Sequence, residues 1–149
     1  MNASAFEVKL ASWALCGDEL SKIRHAVFVQ EQGVPLGIEL DEKDTDPLAV
    51  THVAATSAIG GMIGTARMLL EPAAVRIGRM AVLPGWRGRG VGQKMLEVLC
   101  DEAKRRGYYM VRLYAQTHAA PFYAKQGFIV FGEEFFEAGI RHIEMRRSP

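Results

Sequence analysis

Between Trp86 and Met95 the chain reads WRGRGVGQKM, with Gly88, Gly90 and Gly92 at alternate positions, Arg87 and Arg89 beside them, and Gln93 and Lys94 following. These residue types suit the capture of an anion. A helix start exposes unpaired N–H groups and the positive end of the helix dipole, and glycine lets a phosphate approach that backbone closely. Two common nucleotide-binding patterns fail on spacing. In the P-loop order, Val91 and Gly92 stand where lysine and serine or threonine belong. In the dinucleotide fingerprint, Gln93 or Met95 stands where the third glycine belongs.

Groups able to move protons lie elsewhere. Tyr123, within AQTHAAPFYAKQGF, carries a phenol that is mostly protonated at neutral pH and can serve as an acid. Candidates for a base are Glu31, Glu42, Asp44, His52, His118 and His142, and histidine's titration range suits the task. Residues 31–46 hold six carboxylates against Lys43 alone, whereas residues 84–106 hold six lysines and arginines against three carboxylates. The acidic stretch around Asp41, Glu42 and Asp44 reads either as a selector of a cationic acceptor or as a solvated loop. Cys16 and Cys100 lack metal-ligand spacing, so no metal site is expected, and Cys100 is expected in the core.

The elements that must position these groups follow from periodicity. FEVKLA is a predicted strand, and residues 18–32 a predicted helix with Leu20, Ile23 and Val27 on one face, ended by Gly33 and Pro35. AVTHVAATS and MIGTARMLLE form hairpin arms, and AVRIGRMAVL is a third consecutive strand stopping at Pro84-Gly85. Residues 91–106 place Val91, Met95, Val98, Leu99 and Ala103 on one helical face, with Gly107 closing the helix. YMVRLYAQ is a strand, HAAPFYAKQG a short helix, and FIVFGEEF and RHIEMRR are terminal strands. Antiparallel strands followed by a βαβ-like unit predict an α+β (mixed α/β) fold with a mostly antiparallel central sheet flanked by helices.

Bulk properties narrow the class. The 149 residues are read as one domain, 1–149, able to bury its own core. A net charge of +1 gives no electrostatic case for nucleic acid. The uncharged run between Asp46 and Arg67 approaches a membrane span in length. However, His52, its threonines and Gly60-Gly61 break it into a hairpin, so no membrane partner is expected. The first residues lack a basic region followed by an apolar block, and a cytoplasmic location is expected.

Arg87-Gly88-Arg89-Gly90-Val91-Gly92 satisfies Arg-x-x-Gly-x-Gly between a strand and a helix, and so resembles the pyrophosphate-binding motif of the GNAT superfamily of acyl-CoA-dependent N-acyltransferases. IRHAVFVQEQGVP, DEKD, GTARML, AQTHAAPFYAKQGF and EAGIRHIEMRR extend the resemblance over nearly the whole chain, toward the ElaA-type branch. The resemblance implies a GNAT fold with acetyl-CoA as acyl donor. Arg87 through Gly92 would hold pyrophosphate, Gln93 and Lys94 would support them, and Phe122 would lie against the coenzyme. It also implies that the strand bearing Met80, Ala81 and Val82 splays from its neighbour to receive the pantetheine arm, that a main-chain N–H near Ala81 or Val82 meets the developing oxyanion, and that Tyr123 lies near the coenzyme sulfur. Gln116 stands where many members have asparagine.

The expected activity is direct ternary-complex transfer of an acetyl group to a primary amine of a small molecule or peptide. Tyr123 would act as acid, with Glu31 and His118 at the acceptor. Alternatives are a non-catalytic coenzyme-A-binding module, an interaction domain whose glycine loop is only a turn, and an acyltransferase using a longer donor. A homodimer is left open.

Overall fold

A computed structural model of the chain describes residues 5–149. Strand β1 (Phe6–Ala11) leads into helix α1 (Trp13–Arg24), which begins five residues before the predicted start, just after Ser12. Its axis continues as a π-helical segment, His25–Glu31, in which the Gln32 N–H reaches back to the Val27 carbonyl at 3.1 Å. Gly33, at φ 74°, then ends the run. Leu20, Ile23 and Val27 are buried on one face, as their spacing predicts.

A short helix α2 (Leu36–Glu39) and a 3₁₀ turn (Glu42–Thr45) bring the chain to the meander β2 (Val50–Ser57), β3 (Met62–Leu70) and β4 (Val75–Val82). Helix α3 (Val91–Arg105), strand β5 (Val111–Gln116), helix α4 (Ala120–Lys125) and the hairpin β6 (Ile129–Glu137) and β7 (Ile140–Arg147) follow. One seven-stranded sheet results, ordered β1-β2-β3-β4-β5-β7-β6. Among the described residues only β4 and β5 are parallel; the other neighbours are antiparallel.

Alternation along the strands assigns the two faces of this sheet. Val53, Ala55, Val75 and Ile77 pack against Met95, Leu96, Leu99 and Cys100 of α3. Val98, expected with them, is only half-buried, and Leu96 takes the inner position. On the opposite face, Ile23 and Val27 close over Ala81. Among the described residues no helix is long and apolar enough to cross a membrane.

What positions the site is a fault in the sheet. β4 and β5 pair only through Val75–Ile77 and Val111–Leu113, and beyond that register they diverge. The register of β4 against β3 also slips, from Thr65↔Ala81 to Arg67↔Gly78, so one extra residue is accommodated in β4. Arg79 lies at this bulge with φ 51°. An extra residue raises local twist, which turns the C-terminal half of β4 away from β5.

Candidate active site

The divergence opens a cavity of about 700 Å³. One end is formed by the α3 entrance and by Met80, Ala81 and Val82 of β4. The other lies between the π-helical segment, α2, β5 and the β6–β7 hairpin.

At the α3 entrance Gly88 and Gly90 have φ 75° and 86°, where a side chain is strained, and a Cβ at either would meet no atom within 4 Å. The backbone is therefore turned by glycine and left approachable. Gly92 serves a different need, because a Cβ there would lie 3.1 Å from Phe122 Cζ. Among the described residues no side chain caps α3, and its first turn contains no carboxylate. The Lys94 N–H donates to the Gly90 carbonyl at 3.0 Å, so the N–H groups of Val91, Gly92 and Gln93 precede the helical ladder and remain donors for an anion.

Arg87 binds both carboxylate oxygens of Glu31, at 2.6 and 2.7 Å, and its Nε donates to the Val82 carbonyl at 2.9 Å. The guanidinium thus joins the π-helical segment to the end of β4, and it holds the Glu31 carboxyl below the ordinary carboxylate range. Glu31, Gly88, Gly90, Val91 and Gln93 line the cavity with it. Arg89 and Lys94 do not. Arg89 lies over the Trp86 ring at 5.1 Å, and Lys94 faces Glu97 at 3.5 Å, beside a shallower depression shared with Phe6 and Val8.

The Leu83 N–H donates to the Ile63 carbonyl at 2.9 Å. Antiparallel alternation therefore directs the Ala81 N–H toward β3 and the Val82 N–H toward the open edge. Of the two main-chain groups considered for an oxyanion, geometry favours Val82. Tyr123 packs edge-on against Phe122 and Phe128, and its hydroxyl lies 3.6 Å from Met80 Sδ. Desolvation pushes its pKa up to about 12, so the phenol stays protonated.

The other candidates separate. His118 is exposed on the 3₁₀ turn before α4 and lines the cavity, as does His142, whose Nδ1 is bonded to the Ile140 carbonyl at 2.7 Å. His52 lies outside it, buried beneath Trp13 with Nε2 bonded to the Asp44 carbonyl at 3.1 Å. Burial lowers its pKa, so it is a neutral structural group.

The acidic stretch requires a correction. Glu39 and Asp44 are buried against Arg24, Asp44 also accepts from Arg67 at 2.9 Å, and Asp41 accepts from Arg67 through both oxygens at 2.8 Å. Arg79 donates to the Glu39 and Ile38 carbonyls. The reading of Asp41, Glu42 and Asp44 as selectors of a cationic acceptor fails, because arginines inside the fold already neutralise Asp41 and Asp44, and Glu42 is exposed and does not line the cavity.

Three features escaped sequence reasoning. Gln32 and Gln116 exchange amide hydrogen bonds of 2.8 and 3.3 Å across the cavity, so Gln116 is directed at the π-helical segment. The ion network and the Arg76 side chain on the cavity wall also gave no local signal.

Known proteins are similar to this chain in sequence and in fold. A family model described as an acetyltransferase (GNAT) domain matches residues 39–149. The uncharacterized N-acetyltransferase YjcF of Bacillus subtilis is 34% identical over 85% of this chain and 88% of its own. The crystal structure of an acyl-CoA N-acyltransferase from Pseudomonas aeruginosa is 30% identical and superposes with a TM-score of 0.83 over 96% of this chain and 99% of that one. ElaA of Escherichia coli is 28% identical, with a TM-score of 0.84 over the same shares of the two chains. With its divergent strands and glycine-rich helix entrance, the chain belongs to the GNAT acetyltransferase family and within it is similar to ElaA.

Proposed function

We propose that this enzyme transfers an acetyl group from acetyl-CoA to a primary amine of a small molecule or peptide, with both substrates bound at once. The observation that carries this reading is the continuity of one cavity from the uncapped α3 entrance, along the open edge of β4, to the Tyr123 hydroxyl. A pyrophosphate fits the first end because its oxygens can accept the free N–H groups of Val91, Gly92 and Gln93. The divergent edge of β4 offers main-chain groups to an extended pantetheine arm, as a sheet edge does to a peptide. The Pseudomonas relative's designation as an acyl-CoA N-acyltransferase supports the donor class.

In the transfer, the neutral amine nitrogen bonds to the acyl carbon as the carbon–sulfur bond breaks. The proton lost from nitrogen passes to a base and the departing thiolate takes one from Tyr123, so one proton moves in net from nitrogen to sulfur. The Val82 N–H faces the developing oxyanion. Glu31, depressed and paired through both oxygens by Arg87, is a weak proton acceptor, and its part in this reading is to hold Arg87 beside the end of β4. His118, exposed on the cavity wall, is the base in this reading. Alignment of the two substrates in one cavity supplies a further share of the rate.

Calorimetric titration with acetyl-CoA tests the reading. Saturable binding is expected, and Gly90→Val, checked for folding by circular dichroism, should weaken it by about tenfold, the scale of strain for a side chain in the left-handed region. Unchanged affinity in the folded variant would remove the loop from the coenzyme site. Binding without amine-dependent thiol release would favour a non-catalytic module.

A further inference from the structure

The acceptor end of the cavity does not carry the negative charge expected from the acidic sequence, because its carboxylates and guanidinium groups are matched. Glu39 is engaged by Arg24 and Glu31 by Arg87. Glu137 stands on the exposed hairpin at the rim. On the wall formed by β4 remain two guanidinium groups, Arg76 and Arg79. Arg79 is largely committed, donating from Nε and Nη2 to α2 carbonyls and lying 3.6 Å from Asp41.

Arg76 is not so committed. Its Nε is buried with no hydrogen-bond partner among the described residues. Its carboxylate neighbour is Glu71, whose Oε2 lies 3.6 Å from that Nε, an ion pair too long for a hydrogen bond, while Glu71 Oε1 accepts from Arg112 at 3.0 Å. The guanidinium is held 4.9 Å from the Tyr114 ring centroid, and Tyr114 also lines the cavity. Two residues along, a Cβ on Gly78 would meet nothing within 4 Å, so β4 leaves room on this wall. That Nε is sealed from the cavity, so a ligand would meet the terminal Nη groups, and a planar guanidinium steadied on an aromatic face is suited to donate to a carboxylate there in two parallel hydrogen bonds.

We propose that the amine acceptor also carries a carboxylate, and that Arg76 binds it. The inference rests on the acyl-transfer reading above and names the substrate class of the same site. Six residues of strand separate Arg76 from Val82, roughly 20 Å at full extension. The acceptor is therefore elongated, with its carboxylate several bonds from the reacting nitrogen, as in an ω-amino acid or a short peptide with a free C-terminus. Arg76 is a specificity residue, remote from the bond that breaks.

Thiol release from acetyl-CoA would be measured with ω-amino carboxylates of graded length, the matching carboxamides, triglycine and its amide, and spermidine. The carboxylates should exceed their carboxamides at least about tenfold in kcat/KM, the scale of one charge-assisted pair. Arg76→Met should abolish that difference by raising KM for the carboxylates alone, with acetyl-CoA affinity unchanged, and Arg76→Lys should restore part of it. Preference for carboxamides or spermidine would overturn the proposal, as would a carboxylate preference that survives in folded Arg76→Met. Should no amine release thiol, calorimetric titration of the ω-amino carboxylates into the coenzyme A complex decides: binding lost in Arg76→Met supports the site, and no binding overturns it. Should acetyl-CoA itself fail to bind, the coenzyme reading falls, and the same titration without coenzyme A still decides the carboxylate site.

Discussion

The Tyr123 hydroxyl has Met80 sulfur as its hydrogen-bonding neighbour and aromatic rings around its own. Burial raises its pKa from 10 to about 12, so it holds its proton throughout the physiological range. Tyr123→Phe is expected to lower kcat by about 10²-fold or more while leaving the Kd for acetyl-CoA within about threefold. Because the shift is upward, ionisation of this tyrosine should not diminish kcat below about pH 11. A wild-type loss near pH 9 that disappears in Tyr123→Phe would contradict the assignment. At this scale the sequence was informative where function is local. Gly88, Gly90 and Gly92 are neighbours in the chain, and the left-handed turns at the first two and the close approach of Phe122 to the third show in their type. The Arg87–Glu31 pair spans 56 residues and has no such signature.

Among the elements, the bulge in β4 and the turn before β2 are tied together by arginines. Arg67 of β3 binds Asp41 and Asp44, and Arg79 at the bulge binds the α2 carbonyls. The network thus fixes the segment that walls one end of the cavity to the strand that opens it. Arg67 lowers the Asp41 pKa to about 2 from 3.8. A carboxyl depressed in the folded state stabilises fully above its unfolded value and loses that contribution as pH falls through the folded one. Thermal denaturation from pH 7 to pH 2 should therefore show Asp41→Asn melting lower than wild type at neutral pH. The two curves should converge between about pH 4 and pH 2. Parallel curves would place the pair outside the stability of the fold. The elements themselves were largely legible, since Leu20, Ile23 and Val27 and the α3 face follow helical spacing. The five-residue misplacement of the α1 start and the π-helical turn were not, because side-chain periodicity is little altered by a shifted terminus or one wide turn.

For the molecule as a whole, the cavity joins the α3 entrance, β4, β5, the π-helical segment and α4, so a ligand filling it couples elements far apart in sequence. On the proposed coenzyme assignment, acetyl-CoA at a hundredfold excess over its Kd should add about 2.7 kcal/mol to the folded state. For a chain of this length that corresponds to a rise in Tm of about 5–10 °C by scanning calorimetry. Absence of a rise at saturation would separate the coenzyme from the folded cavity. The sequence by itself determined the mixed α/β class, the strand-to-helix glycine turn and the family likeness, because each depends on contiguous residues whose propensity, period or motif is local. Only the tertiary structure decided that the acidic stretch is internally neutralised, that Val82 rather than Ala81 faces the open edge, and that Arg76 lies on the cavity wall. Those outcomes depend on sheet register and on where two strands part, which bring together groups 15 to 84 residues apart through packing that no single segment encodes.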